Sequence, residues 1–198
     1  STLFPYTTLF RSTIRLIYFG RVSESKNVDV VIKVAYELEK AGYKTSTTVI
    51  GGYTEAYKAK LEQTIKEYRL DNDKVQIIGQ QPFDKICDAL QKVHFFVFPS
   101  QEKMEGHSNS LTEAMTFGVV PVVSTAGFNA SIVGNKELVV DSIDPMKYAR
   151  VIESVIEKNV WSEYSLAVYR RIKENYTEDI VKKNILCAVD ELEDGENE

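Results

Sequence analysis

The sequence predicts an α/β fold, a Rossmann-like three-layer sandwich around a parallel sheet of about six strands. Three observations carry that expectation. From Ile14 onward, short unbroken apolar runs alternate with longer segments whose apolar residues recur at helical spacing. Strands that read as continuous apolar runs are buried on both faces, and strands alternating with helices pair in parallel through right-handed crossovers. The 198 residues are 43% apolar and 27% charged, which suits a soluble chain with a full core.

The elements follow in order. IRLIYFG (14–20) is an apolar strand ending in glycine. After GRVSESKN, the segment VDVVIKVAYELEKAG sets Val28, Val31, Ala35 and Leu38 on one helical face, with Gly42 as the stop. TSTTVIGG (45–52) is β-branched and reads as a second strand, and the next helix carries Tyr57, Leu61, Ile65 and Tyr68 on one face. VQIIG (75–79) is a third strand, followed by a short helix in PFDKICDALQKV. HFFVFPS (94–100) is a fourth strand, closed by Pro99, and LTEAMTFG (111–118) is helical. VVPVVS is a fifth strand, STAGFNASIVG a loop, and ELVVD (137–141) a sixth strand. Beyond Pro145, MKYARVIESVIEK, WSEYSLAVYRRIKENY and EDIVKKNILCAVDEL are amphipathic helices without chemistry-bearing loops.

Charge and composition exclude several classes. A net charge of −5 argues against a nucleic-acid surface, which needs a clustered cationic footprint. Cys87 and Cys187 lie far apart and match no metal or redox spacing. No apolar run approaches the roughly 20 residues that span a bilayer. The last stretch, DELEDGENE, reads as a solvated acidic tail. The first twelve residues, STLFPYTTLFRS, stop where the alternation begins and resemble the in-frame translation of a sequencing adapter. They are therefore expected to be an artefact joined to a truncated gene. The organisation expected is thus an artefact at 1–12, a nucleotide-binding Rossmann-like domain over 13–160, and C-terminal helices with the acidic tail over 161–198.

In such sheets ligands bind beyond the carboxyl ends of the strands, so those loops hold the candidate site. Arg21 and Lys26 follow strand one in a loop that leads to a helix start, where cations and helix dipole together suit a diphosphate. Gly51-Gly52 allows either a close backbone approach or a plain turn. Gly79 and Gln80 follow strand three, where a flat base could lie against the backbone. After strand four comes EGHSNSLTEAMTF (105–117), with Glu105 and Glu113 either side of a Ser/Asn cluster. Ser110-Leu111-Thr112-Glu113 fits a capping box, with Ser110 at N-cap and Glu113 at N3. The same segment also suits an anion site whose carboxylates accept sugar hydroxyls. His107 has no acidic orienter in sight and reads as a loop-packing residue, and His94 as a satisfied core histidine. The loop after strand one contains neither a Walker loop nor GxGxxG, which argues against a nucleotide-hydrolysing P-loop and a nicotinamide oxidoreductase.

Together, the spacing of Glu105 and Glu113, the continuation EAMTFGVVPVVST with GFNASIVG, FFVFPS before it and FGRVSESKN upstream resemble the donor-binding domain of retaining GT-B glycosyltransferases of family four. The resemblance covers residues 14–193 and implies the C-terminal half of a GT-B fold. It implies that Arg21 and Lys26 hold the donor diphosphate and that Glu105 contacts hydroxyls of the transferred sugar. Glu113 would bind the ribose. Gly106, His107, Ser108, Asn109 and Ser110 would supply backbone N–H groups to phosphate and sugar, and Gly79 would lie beside the base. Three departures from the family pattern stand out: Asn27 where a glycine is usual, GHSNS in place of a Gly-aromatic-Gly turn, and GGY in place of Gly-acid-Gly.

The implied activity is retaining transfer of a hexosyl group from a UDP- or GDP-linked donor to a glycan or lipid-linked acceptor, in surface polysaccharide biosynthesis. Catalytic roles would fall to Glu105, Arg21 and Lys26, with no metal and no other cofactor. The implied partners are the nucleotide-sugar, a missing N-terminal acceptor domain and the acceptor, without nucleic acid. The missing half would also provide any peripheral membrane association, and the expected location is cytoplasmic, at the inner membrane face. On this reading the present chain alone is inactive. The alternative is a non-catalytic nucleotide-binding module, a degenerate or truncated paralogue.

Overall fold

The computed structural model describes residues 13–71, 73–102 and 105–182. The adapter-like residues 1–12, Cys187 and the acidic tail lie outside the described residues. The strands are β1 (Ile14–Phe19), β2 (Thr45–Ile50), β3 (Val75–Ile78), β4 (Phe95–Phe98), β5 (Val120–Ser124) and β6 (Val139–Val140). They form one six-stranded sheet in the order β3-β2-β1-β4-β5-β6, and every pairing is parallel. The Rossmann-like sandwich expected from the alternation is the fold observed.

The helices are α1 (Val28–Lys40), α2 (Glu55–Glu67), α3 (Phe83–Leu90), α4 (Asn109–Thr116), α5 (Asn129–Val133), α6 (Pro145–Glu157) and α7 (Trp161–Asn175). Burial explains why the strands read as unbroken apolar runs. Four residues of β4, all aromatic or valine, are inaccessible, and β5 is buried along its length. Tyr18, Phe96 and Phe98 stack across β1 and β4, with ring centroids 5.4–6.4 Å apart. α1 packs between α2 and α6, and α4 packs against α7. Right-handed crossovers set these two helix groups on opposite faces of the sheet. α7 is tied to the sheet domain at several points: Ser165 Oγ donates to Gly118 O at 2.6 Å and Arg171 Nε to Ile132 O at 2.7 Å.

Three local expectations change. The segment after β5, expected as a loop, folds into α5, whose five residues sit between Gly127 and Gly134, both at positive φ. The sixth strand is shorter than ELVVD, because residues 136–138 form a 3-10 turn ahead of it. The helix expected from Leu111 begins at Asn109 instead.

His94 is the core histidine its apolar setting implied. It is 5% exposed, its Nδ1 accepts the Arg15 backbone N–H at 3.1 Å, and its ring meets Trp161 edge-on at 5.7 Å. Burial, aided by the Arg15 charge, holds its pKa down at about 4 against an ordinary 6.5. The unfolded chain therefore takes up this proton before the folded one does. The stability from a neutral His94 is complete above pH 6.5 and falls as pH drops towards 4, by about 3 kcal/mol in all. A melting temperature that falls from pH 7 to 5 in the parent and less steeply in His94→Asn is the expected result. A flat profile in the parent contradicts it.

Candidate functional site

The strand order reverses at β1: the chain runs outward to β2 and β3, then returns to place β4 on the other side of β1. Ligand crevices of open α/β sheets lie at this switch point, beyond the carboxyl ends of the strands. The loop after β1 and the loop after β4 meet here. A cavity of about 680 Å³ opens at that edge, within the size range of sites that hold small molecules.

The first loop is fixed from several directions. Tyr18 Oη donates to Arg21 O at 2.6 Å from a fully buried position. Gly51, at the end of β2, has φ +150, and a Cβ there would overlap the Gly20 carbonyl. Of the two readings of Gly51-Gly52, close backbone approach is the one observed at Gly51, while Gly52 faces open space. Asn27 is left-handed at φ 49 and ψ 46, a conformation in which glycine is unstrained and asparagine tolerated. Its Nδ2 donates to Pro99 O at 3.0 Å, which ties the two loops together. The departure at residue 27 therefore keeps the turn and adds a cross-link.

Between the loops lies a compact ion cluster. Lys26 is 7% exposed, with its Nζ 2.5 Å from Glu105 Oε2 and 2.6 Å from Glu102 Oε2. Its ammonium also lies 5.4 Å from the centroid of the Phe98 ring. Arg21 Nη2 reaches Glu102 Oε1 at 2.5 Å from an exposed position. The Ser100 hydroxyl donates to Glu105 Oε2, and Ser124 Oγ donates to Ser100 O at 2.5 Å. Hydrogen bonding from Lys26 holds the Glu102 carboxyl below its usual range. Gly127, at φ +52, lies against the Glu105 backbone so closely that a Cβ would overlap the carbonyl. The loop after β5 thereby fixes where Glu105 stands.

The capping-box reading of Glu113 does not hold. Ser108 is the N-cap of α4, so Ser110 occupies N2 and Glu113 N5. Ser108 Oγ pairs with Ser110 Oγ at 3.1 Å, and no side chain caps the helix. The first intrahelical bond runs from Thr112 N to Ser108 O, so the backbone N–H groups before it carry no helical partner. Glu113 is half-buried, lines the cavity and has no hydrogen-bond partner among the described residues. Burial raises its pKa.

Of the residues singled out by sequence, Arg21, Lys26, Glu105, His107, Ser108, Asn109, Ser110 and Glu113 all line this one cavity. Gly79 and Gly106 do not; each is next in chain to a residue that does, Gln80 and Glu105 or His107. The His107 ring packs on Tyr176 at 5.1 Å, the loop-packing role expected of it. Sequence reasoning missed Gln81, Ile86 and the 56%-exposed Phe83 on the rim near Gln80. It also missed Glu102, whose only sequence signal is an acid in the loop opposite two cations. Chemically the site joins two cations, a helix N-terminus and two carboxylates around a cavity, a set suited to a phosphorylated, hydroxyl-rich ligand. No group of three or more metal-ligating side chains occurs among the described residues.

Comparison with known proteins agrees with this architecture. The model of the family described as "Glycosyl transferases group 1" matches residues 7–178. The chain is 32% identical over 116 residues to the amylovoran biosynthesis glycosyltransferase AmsK of Erwinia amylovora, a match covering 57% of this chain and 28% of that protein. Its fold resembles the sucrose-phosphate synthase of Thermosynechococcus elongatus, with TM-score 0.77 and 18% identity over 93% of this chain and 46% of that one. It also resembles the C-terminal domain of the group 1 glycosyl transferase LpcC of Francisella tularensis, with TM-score 0.70 and 22% identity over 83% of this chain and 87% of that one. The chain thus spans about a quarter of AmsK and just under half of the synthase.

Proposed function

This chain belongs to the glycosyl transferases group 1 family, and we propose that its cavity binds a nucleotide-sugar donor for retaining transfer of a hexosyl group to a glycan or lipid-linked acceptor. The observation that carries the proposal is the convergence of Arg21, Lys26, Glu105, Glu113 and the α4 N-terminus on one cavity. Arg21 and Lys26 take the diphosphate, a task for which a fork of N–H donors and a compact ammonium are suited. The uncapped start of α4 adds its backbone N–H groups to the same anion. Glu105 accepts hydroxyls of the hexose, and Glu113 accepts ribose hydroxyls. The base lies towards Gln80 and Phe83.

In the proposed reaction the bond from the anomeric carbon to the diphosphate oxygen breaks. A bond to the acceptor oxygen forms on the same face, and the acceptor proton passes to the departing phosphate. The chain's residues stabilise the negative charge that develops on that leaving group. Glu105 and Glu113 are therefore hydroxyl ligands rather than an acid/base pair across the scissile bond. No metal is assigned a role. The AmsK name, a biosynthesis glycosyltransferase, supports an assembly role, which we extend to surface polysaccharide. We further propose that a second domain facing this edge brings the acceptor, with the reaction cytoplasmic at the inner membrane face. No described helix is long and apolar enough to cross a membrane.

A thermal-shift panel of UDP, GDP, ADP and their sugars tests the reading, since only a ligand that prefers the folded state raises the melting temperature. Glu113→Gln sharpens it. The side chain caps nothing in α4, so stability should barely move, while nucleotide affinity should fall by about 1.5–3 kcal/mol, the worth of a charged hydrogen bond. Unchanged nucleotide affinity in Glu113→Gln would remove the ribose role.

A further inference from the structure

We propose that Glu102 is an exchangeable counter-ion for the diphosphate-binding cations, holding Arg21 and Lys26 when the site is empty and releasing them to the donor. The inference rests on the donor reading above and adds a residue to it. Glu102 follows β4 and contacts both cations at once, Arg21 through Oε1 and Lys26 through Oε2. Ser25 Oγ donates to the same Oε1 at 3.0 Å, and the Glu102 backbone N–H reaches Ser100 Oγ at 3.3 Å. Three contacts therefore hold the carboxylate, and a fourth holds its backbone.

Its position relative to the cavities gives it this role. Arg21, Lys26 and Glu105 line the donor cavity, whereas Glu102 does not. It lines a separate, smaller cavity of about 240 Å³, with Ser124 and Asp141, and neither cation lines that one. The cations thus touch both the donor cavity and a carboxylate that lies outside its lining. Arg21 is 66% exposed in its side chain and can turn from one to the other at little cost in burial.

Charge counting sets the consequence. Arg21 and Lys26 face Glu102 and Glu105, so the four formal charges cancel. A diphosphate entering the cavity meets a neutral cluster and must compete with Glu102 for both cations, with a like charge close by. When the sugar leaves, the negative charge shed onto the diphosphate tightens its hold on the cations. Glu102 offsets that hold by taking the cations back, which speeds release of the nucleoside diphosphate.

The direction of the effect separates this role from a purely supportive one. A carboxylate that only props Arg21 and Lys26 would, when neutralised, leave them less well placed and weaken binding. A competing counter-ion, when neutralised, strengthens it. Calorimetric titration of the full chain with UDP and with GDP, for the parent and for Glu102→Gln at low and physiological salt, reads this directly. The expected result is affinity about tenfold tighter in Glu102→Gln, with steeper loss on adding salt because the cluster gains a net positive charge. Equal or weaker affinity in Glu102→Gln overturns the inference while leaving the donor reading intact. Failure of both proteins to bind either nucleotide overturns the donor reading and the inference with it. Should Glu102→Gln not fold, Ser25→Ala carries the test, since it loosens Glu102 without altering any charge. Tighter binding in Ser25→Ala is expected, and unchanged or weaker binding overturns the proposal.

Discussion

Replacing Lys26 with alanine is expected to destabilise the chain by about 3–5 kcal/mol and to abolish nucleotide binding. Lys26 and Glu105 are 7% and 9% exposed, and their charged atoms stand 2.5 Å apart. Removing the ammonium leaves the poorly hydrated Glu105 carboxylate with the Ser100 hydroxyl but no cation beside it, and it takes one cation from Glu102 as well. An unpartnered buried charge is costly, whereas losing both partners of a buried pair is much less so. Adding Glu105→Gln to Lys26→Ala should therefore recover most of the stability and none of the binding. Urea denaturation of the parent, the single variant and the double variant measures this. A loss below about 0.5 kcal/mol in Lys26→Ala, the range of featureless surface changes, would mean the cluster does not hold the loops together.

The fold was legible where local and global signals agree. β4 and β5 are buried along their length and β1 at every position but Arg15, so each appears in the sequence as a nearly continuous apolar run, and its limits fall within a residue or two of those expected. α5 was not legible because five residues between two glycines carry too little periodicity to separate helix from loop. The start of α4 was misplaced for a more instructive reason. Ser110-Leu111-Thr112-Glu113 fits a capping box, yet the hydroxyls of Ser108 and Ser110 bond to each other, and the helix gains residues at its N-terminus. That shift turns Glu113 from a cap into a cavity-lining carboxylate. Arg21, Lys26 and Glu105 could be chosen because the switch-point rule directs attention to the strand ends. Glu102 lies on the same strand-end loop, but its pairing with Arg21 and Lys26, like the place of Phe83 at the cavity, depends on how separate loops approach each other.

A second large effect concerns catalysis. Given a nucleotide-sugar and a panel of acceptors, this chain alone is expected to bind donor and transfer no sugar. All the proposed donor contacts come from one sheet edge, and the chain spans just under half of the sucrose-phosphate synthase whose fold it shares. Transfer requires an acceptor hydroxyl at near-attack distance, an alignment worth up to about 7–11 kcal/mol of barrier. It also requires a closed cleft that keeps water from the donor. A single open edge supplies neither. Appreciable transfer by the 198-residue chain would show that this edge aligns the acceptor unaided.

The central claim is that the cavity beyond β1 and β4 binds a nucleoside diphosphate through Arg21 and Lys26. Isothermal titration with UDP and GDP, in the parent and in Arg21→Ala, tests it most directly. Arg21 is exposed, so its removal should leave the fold intact and any change should report on the site. The expected result is saturable, salt-sensitive binding of at least one nucleotide, weakened by about 1.5–3 kcal/mol in Arg21→Ala, as for other hydrogen bonds to charged groups. Absence of binding in the parent, or binding of equal strength in Arg21→Ala, contradicts the account.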